Sequence, residues 1–309
     1  MAGYEALGDR CLVLLNLDYL AALASRHADA LNTPVAEFTL RGRRFGPWPD
    51  VSMMGVVNLS RDSWYRESVV LNVEAAVRRG RRLAAEGAAI VDVGAESTIL
   101  HAERVDAGRQ ISQLLPVVRE LSGAGALVSV ETYDPAVARP ALSAGASVLN
   151  MTAGESTEPL YRLAAEFGAG VIICFVQGAN VREVGDLAAG SDPSAALYEY
   201  FAREVERAHA CGVEAMWIDA GLGFYYTNLA DSAQRVRYQI ETMLNSFRLR
   251  KLGRPVCHAL PHAFEYFEEE VRSAEPFFAV MALLGQTDLL RTHEVAKVRG
   301  VIEALRTVG

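Results

Sequence analysis

Three polar residues close apolar runs that read as interior strands: Glu131 at the end of ALVSVE, Asn150 in SVLNM and Asp219 at the end of EAMWID. A buried carboxylate costs several kcal/mol unless something pairs with it. Each of these side chains therefore awaits either a partner in the fold or a ligand. Two carboxylates and an amide converging on one cleft suit a flat heterocycle with several N–H donors. A carboxylate accepts two parallel N–H bonds, and an amide serves a mixed donor and acceptor edge. For any one of them alone a cap or turn is the plainer reading, above all for Asp219, which Ala-Gly-Leu-Gly follows. A cationic group stands at the last apolar run, where Arg291 and His293 in LLRTHEV precede a helix. Guanidinium, imidazole and helix N-terminal N–H groups together make a site for phosphate or pyrophosphate. Asn58 and Asp62 in NLSRDSW offer the oxygen ligands that suit a phosphate-borne Mg²⁺.

The elements that would position these residues follow a rhythm. Apolar runs at 53–59, 88–93, 126–131, 147–151, 169–176, 214–219, 255–258 and 287–292 alternate with stretches of 3.6-residue periodicity, such as 72–87 and 195–212. Eight strand–helix units over roughly 250 residues predict an α/β fold of the (β/α)8 barrel type rather than a doubly wound sheet. In such a barrel, function sits at the C-terminal strand ends. Read in order, those ends carry Asn58, Asp92 with Glu96, Glu131, Asn150, Phe175 with Gln177, Asp219, His258, and Arg291 with His293. Ahead of the barrel (51–309), residues 1–50 form an extension: an amphipathic helix over 11–31 and a hairpin in FTLRGRRFG (38–46). The extension could plug the barrel bottom or join a subunit interface.

Composition narrows the partners. With 51% hydrophobic and 22% charged residues the chain of 309 is an ordinary globular protein, and its net charge of −8 argues against nucleic acid or an anionic membrane as partner. Cys11, Cys174, Cys211 and Cys257 lack metal or disulfide spacing and read as thiols in a reducing compartment. The apolar N-terminus is interrupted by Asp18 and too short to span a bilayer, so a cytoplasmic location is expected. His258 and His262 are separated by Leu260-Pro261, which breaks the helical spacing a metal pair would need, so a structural role is the plainer one. The acidic stretch 265–277 reads as a solvated helix face. Trp64 in the first loop is a candidate to stack on a ligand.

At these residues the chain resembles the dihydropteroate synthase family of pterin-binding barrels. MGVVNLSRDSW is similar to that family's M-G-I-L-N-V-T-P-D-S-F, and GAAIVDVGAEST to G-A-D-I-I-D-I-G-G-E-S-T. VSVETYDPAVARPALSAGASVLNMTAG resembles the stretch that holds S-V-D-T and I-N-D. IDAGLGF resembles D-P-G-I-G-F, and LRTHEV resembles R-V-H-D-V. The matches run in order from residue 53 to about 305. The resemblance implies a transferase that displaces pyrophosphate from a pterin methyl-pyrophosphate with an arylamine, p-aminobenzoate. It implies Glu131, Asn150 and Asp219 for the pterin ring, and Asn58, with Mg²⁺, for pyrophosphate. Thr98 would lie near the leaving group, Arg291 and His293 would form the anion site, and the protein would be a homodimer.

The chain departs from the family at several of its motifs. Where the family has S-R-K-S at the seventh strand, this chain has Pro261, His262, Ala263 and Phe264. His262 could supply a cation there only if its loop bends inward. Ile99-Leu100 replaces the R-P that follows E-S-T, Arg61 replaces Pro, Cys174-Phe175 replaces M-H, and Glu131 is one methylene longer than the usual Asp. A fixed charge aimed at a departing anion is worth roughly 3–4 kcal/mol. Loss of the Lys and the Arg therefore predicts weak conventional condensation, on a pterin or folate-type substrate. Two alternatives stay open: a one-carbon transferase using methyl- or methylene-folate, and a non-catalytic pterin-binding paralogue.

Overall fold

The structure, a computed structural model, describes residues 14–60, 72–97, 104–184, 186, 192–224, 227–229, 231–268 and 271–308. Cys11, Arg61, Asp62, Trp64, Thr98 and Ile99-Leu100 lie outside the described residues. The expected N-terminal helix is two short pieces, α1 (Leu17–Arg26) and α2 (Ala28–Leu31). Asn16 caps the first, its side chain accepting the Tyr19 N–H at 2.9 Å. The hairpin forms as read. Strands β1 (Phe38–Leu40) and β2 (Arg43–Phe45) pair antiparallel around Arg41 and Gly42, whose φ of 49° and 80° suit a two-residue turn.

Eight parallel strands then close a barrel. They are β3 (Ser52–Asn58), β4 (Ile90–Gly94), β5 (Val128–Thr132), β6 (Val148–Met151), β7 (Gly170–Cys174), β8 (Met216–Asp219), β9 (Val256–Ala259) and β10 (Leu289–Thr292). β10 pairs with β3 to complete the ring. Each expected apolar run yields one strand, its bounds moved by no more than two residues at either end. The outer layer comprises α3 (Val73–Ala85), α4 (Ala107–Gly123), α5 (Pro135–Ser143), α6 (Glu158–Phe167), α7 (Pro193–Ala210), α8 (Ser232–Leu244), α9 (Phe264–Phe267), α10 (Val271–Leu284) and α11 (Val295–Arg306). The starts of α3, α4, α5, α7 and α8 are set by Asn72, Asp106, Asp134, Asp192 and Asp231, whose side chains each accept a first-turn N–H. The architecture is a (β/α)8 barrel. Among the described residues no helix is long and apolar enough to cross a membrane.

The barrel interior is apolar at the bottom and polar at the top. Met54, Ile90, Val148, Ile172, Trp217, Cys257 and Leu289 form one buried cluster together with Leu40 and Phe45 of the hairpin. Phe38 and Phe45 meet Trp217 edge-on, at centroid distances of 4.6 and 5.0 Å. The hairpin therefore stoppers the bottom, away from the strand ends where the polar groups gather. A buried ion pair, Arg250 to Asp288 at 3.0 Å, stands close by, and Asp288 also accepts the Trp48 N–H.

Candidate active site

Side chains alternate along a strand, so a residue two places beyond an inward-facing one also faces inward. Two places beyond Ile90, Val148, Ile172, Trp217, Cys257 and Leu289 stand Asp92, Asn150, Cys174, Asp219, Ala259 and Arg291. Strand register sets them in neighbouring pairs that step around the top of the barrel: Glu131 lies opposite Asn150, Cys174 opposite Asp219, and Arg291 opposite Ala259. One cavity at this end is lined by Glu131, Asn150, Asp219, Asn58, Arg291 and His293 together. The described residues assigned to ring, anion and metal binding therefore border a single pocket, whereas Asp92, Phe175, Gln177 and His258 do not line it, and Thr98 lies outside the described residues.

Arg291 and His293 do not stand as a separate cationic pair awaiting an anion. The Arg291 guanidinium sits between carboxylates, with Nε donating to Asp92 at 2.8 Å and Nη2 to Glu131 at 2.5 Å. Asp92 is fully buried and shares that same oxygen with the Asn150 amide N–H at 3.1 Å. The other end of the Asn150 amide accepts from the Cys174 thiol at 3.4 Å, so its orientation is fixed from both sides. Burial raises the Cys174 thiol well above its ordinary range, which keeps it a protonated donor.

Burial also pushes the Glu131 carboxyl up, to about 7, with Asp92, Asp219 and Glu96 adding to the shift and Arg291 opposing it. Asp219 is displaced upward for the same first reason, against the pull of the Gly221 N–H at 2.8 Å, of Arg291 and of the Cys257 thiol. A carboxyl whose folded value is raised holds its proton in the native state where the unfolded chain has lost it. Its stabilising contribution is therefore present at low pH and disappears as pH rises through about 7. The melting temperature should fall by on the order of 2 °C between pH 6.5 and 8 and then level off, and Glu131→Gln should flatten the profile. Calorimetric scans across that window check it. Starting at 6.5 avoids His258 and His262, whose lowered values (about 3 and about 4) cost stability only as pH falls below the ordinary histidine range.

Those two histidines differ in placement, and only the strand-end reading of His258 needs correction. His258 is not at the mouth. It faces outward, fully buried, with Nε2 2.5 Å from the Ser246 hydroxyl, and burial alone keeps it neutral. His262 does line the pocket, stacked on Phe264 with ring centroids 3.9 Å apart. Burial, reinforced by Arg235, pushes it down to about 4, so it brings no positive charge at neutral pH. Ala263 is buried. Phe175 packs edge-on against Tyr200 at 4.9 Å rather than entering the cavity.

Three further charged residues line the cavity, of which only Glu96 was read from the sequence as lying at a strand end. Arg235 reaches in from α8 and holds Glu265 through Nη2, at 2.8 and 2.9 Å. It is the cation that enters on the side where the seventh-strand motif has none. Glu96 accepts from the Tyr133 hydroxyl at 2.7 Å and the Val105 N–H at 3.1 Å. Glu275, expected on a solvated face, is 1% exposed and borders the cavity. Its position on the stripe of buried Ala274, Phe278, Ala279 and Ala282 was readable in the sequence.

Metal binding is narrowly constrained. Among the described residues, no group of three His, Cys, Asp or Glu is placed to hold an ion. Asn58 offers a single amide oxygen at the cavity edge. Asp62, the other candidate ligand, lies outside the described residues, and the Asn58 oxygen suits a Mg²⁺ carried in on a phosphate-bearing ligand and completed by water.

Comparison with known proteins bears on this geometry. A family model described as "pterin binding enzyme" matches residues 54–256. The dihydropteroate synthase of Mycobacterium leprae is 32% identical over 268 residues, covering 84% of this chain and 93% of that protein. Among solved structures, Xanthomonas albilineans dihydropteroate synthase with 4-aminobenzoic acid superposes with a TM-score of 0.73 at 26% identity, covering 88% of this chain and 97% of that one. The Thermus thermophilus enzyme in complex with 6HMPPP gives 0.70 at 26% identity, covering 89% and 100%.

Proposed function

This chain belongs to the pterin-binding enzyme family and is dihydropteroate synthase-like, and from that premise we propose a transferase that seats the pterin ring of a pterin methyl-pyrophosphate on Asp219, Asn150 and Glu131 and passes its methylene to an acceptor for which p-aminobenzoate is a poor stand-in. The observation that carries the reading is the buried polar level of the barrel. Acceptor atoms of Asp219 and Glu131 and an amide pinned in one orientation surround a cavity above an apolar floor. An amino-amide ring edge satisfies those acceptors with its own donors, which is the recognition a buried carboxylate requires. Asn58 and Mg²⁺ would take the pyrophosphate end, with Thr98 beside it. The ion would draw off charge as the carbon–oxygen bond breaks.

The acceptor side differs from the family motif. Ala263, Phe264 and a neutral His262 replace its polar and cationic residues, and Arg235 arrives already balanced by Glu265. Charge assistance for an aryl carboxylate or a departing dianion is thereby reduced, and turnover with p-aminobenzoate should fall well below about 1 s⁻¹. Asp219→Ala removes two charge-assisted hydrogen bonds to the ring, each worth about 1.5–3 kcal/mol. It should weaken the pterin by roughly a hundredfold or more. Titration calorimetry with pterin methyl-pyrophosphate and Mg²⁺ measures this. Equal affinity in the variant, or ordinary turnover with p-aminobenzoate, would contradict the ring assignment or the altered acceptor respectively.

A further inference from the structure

Resting on the ring placement proposed above, we infer that the two thiols flanking Asp219 are positioning residues with different fates: Cys174 keeps the Asn150 amide oriented throughout, whereas Cys257 fills an acceptor site of Asp219 only until the amino-amide edge of the pterin takes it.

Strand register sets the arrangement. Cys174 lies opposite Asp219 across β7 and β8, and Asp219 lies opposite Cys257 across β8 and β9, so the three side chains stand in one row facing the barrel interior. Both cysteines are buried and belong to the apolar cluster that holds Ile172, Trp217 and Leu289. A thiol is a small hydrophobe with one weak donor, so it sets an S–H beside a carboxylate without burying a hydroxyl in that layer. Burial first, and the Asp219 charge second, raise both thiols well above their ordinary range, and each retains a proton to donate. They are not a disulfide pair. Two strand spacings part their Cα atoms by roughly 9–10 Å, beyond the about 7 Å that a disulfide can bridge.

Counting acceptor sites divides the roles. An ionised carboxylate has about four lone-pair sites. Within the protein Asp219 accepts from the Gly221 N–H at 2.8 Å, from the Ala259 N–H and from the Cys257 thiol. The ring edge brings two more donors, and the total exceeds what the carboxylate can take. One protein donor has to yield. The Ala259 N–H is fixed in β9 and the Gly221 N–H in the turn that leaves β8, where the Gly221 carbonyl accepts from Phe224. The thiol alone turns away by rotation about a single bond.

Asn150 faces no such conflict. Its Oδ1 accepts from the Cys174 thiol at 3.4 Å and keeps a second lone pair, while its Nδ2 donates to Asp92 at 3.1 Å and keeps a second proton. The amide can serve a ring edge with both partners in place. Cys174 is itself anchored, its carbonyl accepting from the Tyr200 hydroxyl at 3.2 Å.

Infrared difference spectroscopy of the full chain reads each S–H directly, because the thiol stretch falls where no other protein group absorbs. Cys174→Ala and Cys257→Ala assign the two bands among the 4 cysteines. Without ligand, both bands should lie at the low wavenumber of a hydrogen-bonded S–H. With pterin methyl-pyrophosphate and Mg²⁺ at saturation, the Cys257 band should rise and the Cys174 band should stay low. A Cys257 band that is never low, or that pterin binding leaves in place, would overturn the inference, as would release of Cys174.

Affinity gives an independent reading. A donor that must leave opposes the ligand, so Cys257→Ala should tighten pterin binding about three- to tenfold and Cys257→Ser, a stronger donor, should weaken it by a like factor, the fold-change of one modest hydrogen bond. A purely structural cysteine predicts the reverse order, with serine nearest the wild type and alanine weakest. Titration calorimetry well below each variant's melting point decides between them. The reverse order overturns the inference for Cys257 and leaves the ring site standing. Absence of pterin binding in the wild type removes the ring site, and this inference with it.

Discussion

Arg291→Met should destabilise the protein by about 3–5 kcal/mol, the usual consequence of removing one partner from a buried ion pair. The methionine fills much the same space, so the loss is electrostatic. Asp92 and Glu131 both lean on the guanidinium, and Asp92, Asp219 and Glu96 already push Glu131 toward its protonated form. Without Arg291 the cheapest relief is proton uptake by Glu131, which converts a carboxylate acceptor into an acid. The defect should therefore be larger at pH 8 than at pH 6, where the proton is easily acquired. Urea midpoints at the two values measure it. Pterin affinity should also collapse, because the ring would meet a protonated Glu131 and an Asn150 whose Asp92 partner has lost its counter-charge. Arg291→Lys should rescue only part of the stability, since an ammonium cannot span both carboxylates as a planar fork does. A variant with an unchanged midpoint at pH 8 would mean the cluster is wet enough to do without its cation.

That cluster also marks where sequence stops being informative. Apolar runs and their spacing were enough for the eight strands, and the polar residues ending those runs were enough for the pocket level, because both rest on local periodicity. Charge partnership was not local. Nothing near LLRTHEV says that Arg291 meets Asp92 and Glu131, which lie 199 and 160 residues away. Parity failed in PVCH, where four residues are too few to establish an alternation and the histidine at the end can be buried on either face. Only pairing of Cys257 with Leu289 and Asp219 shows that His258 points outward. Arg235 was illegible for another reason. It sits on a helix of the outer layer and reaches the cavity only because a long side chain spans the gap. Glu275 was the readable miss, an acid on an apolar stripe taken for part of a charged run.

The hairpin supplies the counterpart at the opposite end. Phe45 is 3% exposed, packs on Trp217 at 5.0 Å and shares the bottom cluster with Met54, Ile90 and Leu289. Phe45→Ala leaves a cavity that β1 and β2 are too short to refill, and truncations of this kind cost about 3–5 kcal/mol. A loss of that size in a chain of 309 residues is expected to lower the melting temperature by on the order of 10 °C. The polar level should not notice while the protein stays folded. Trp217 and Asp219 are separated by one residue of β8, but the strand is fixed on both sides by β7 and β9 and by the Gly221 N–H on Asp219. Pterin affinity well below the new melting point should thus match the wild type. A matched loss of affinity and stability would instead mean that the bottom plug sets the height of Asp219 in the barrel, making residues 38–45 part of the binding apparatus rather than its foundation.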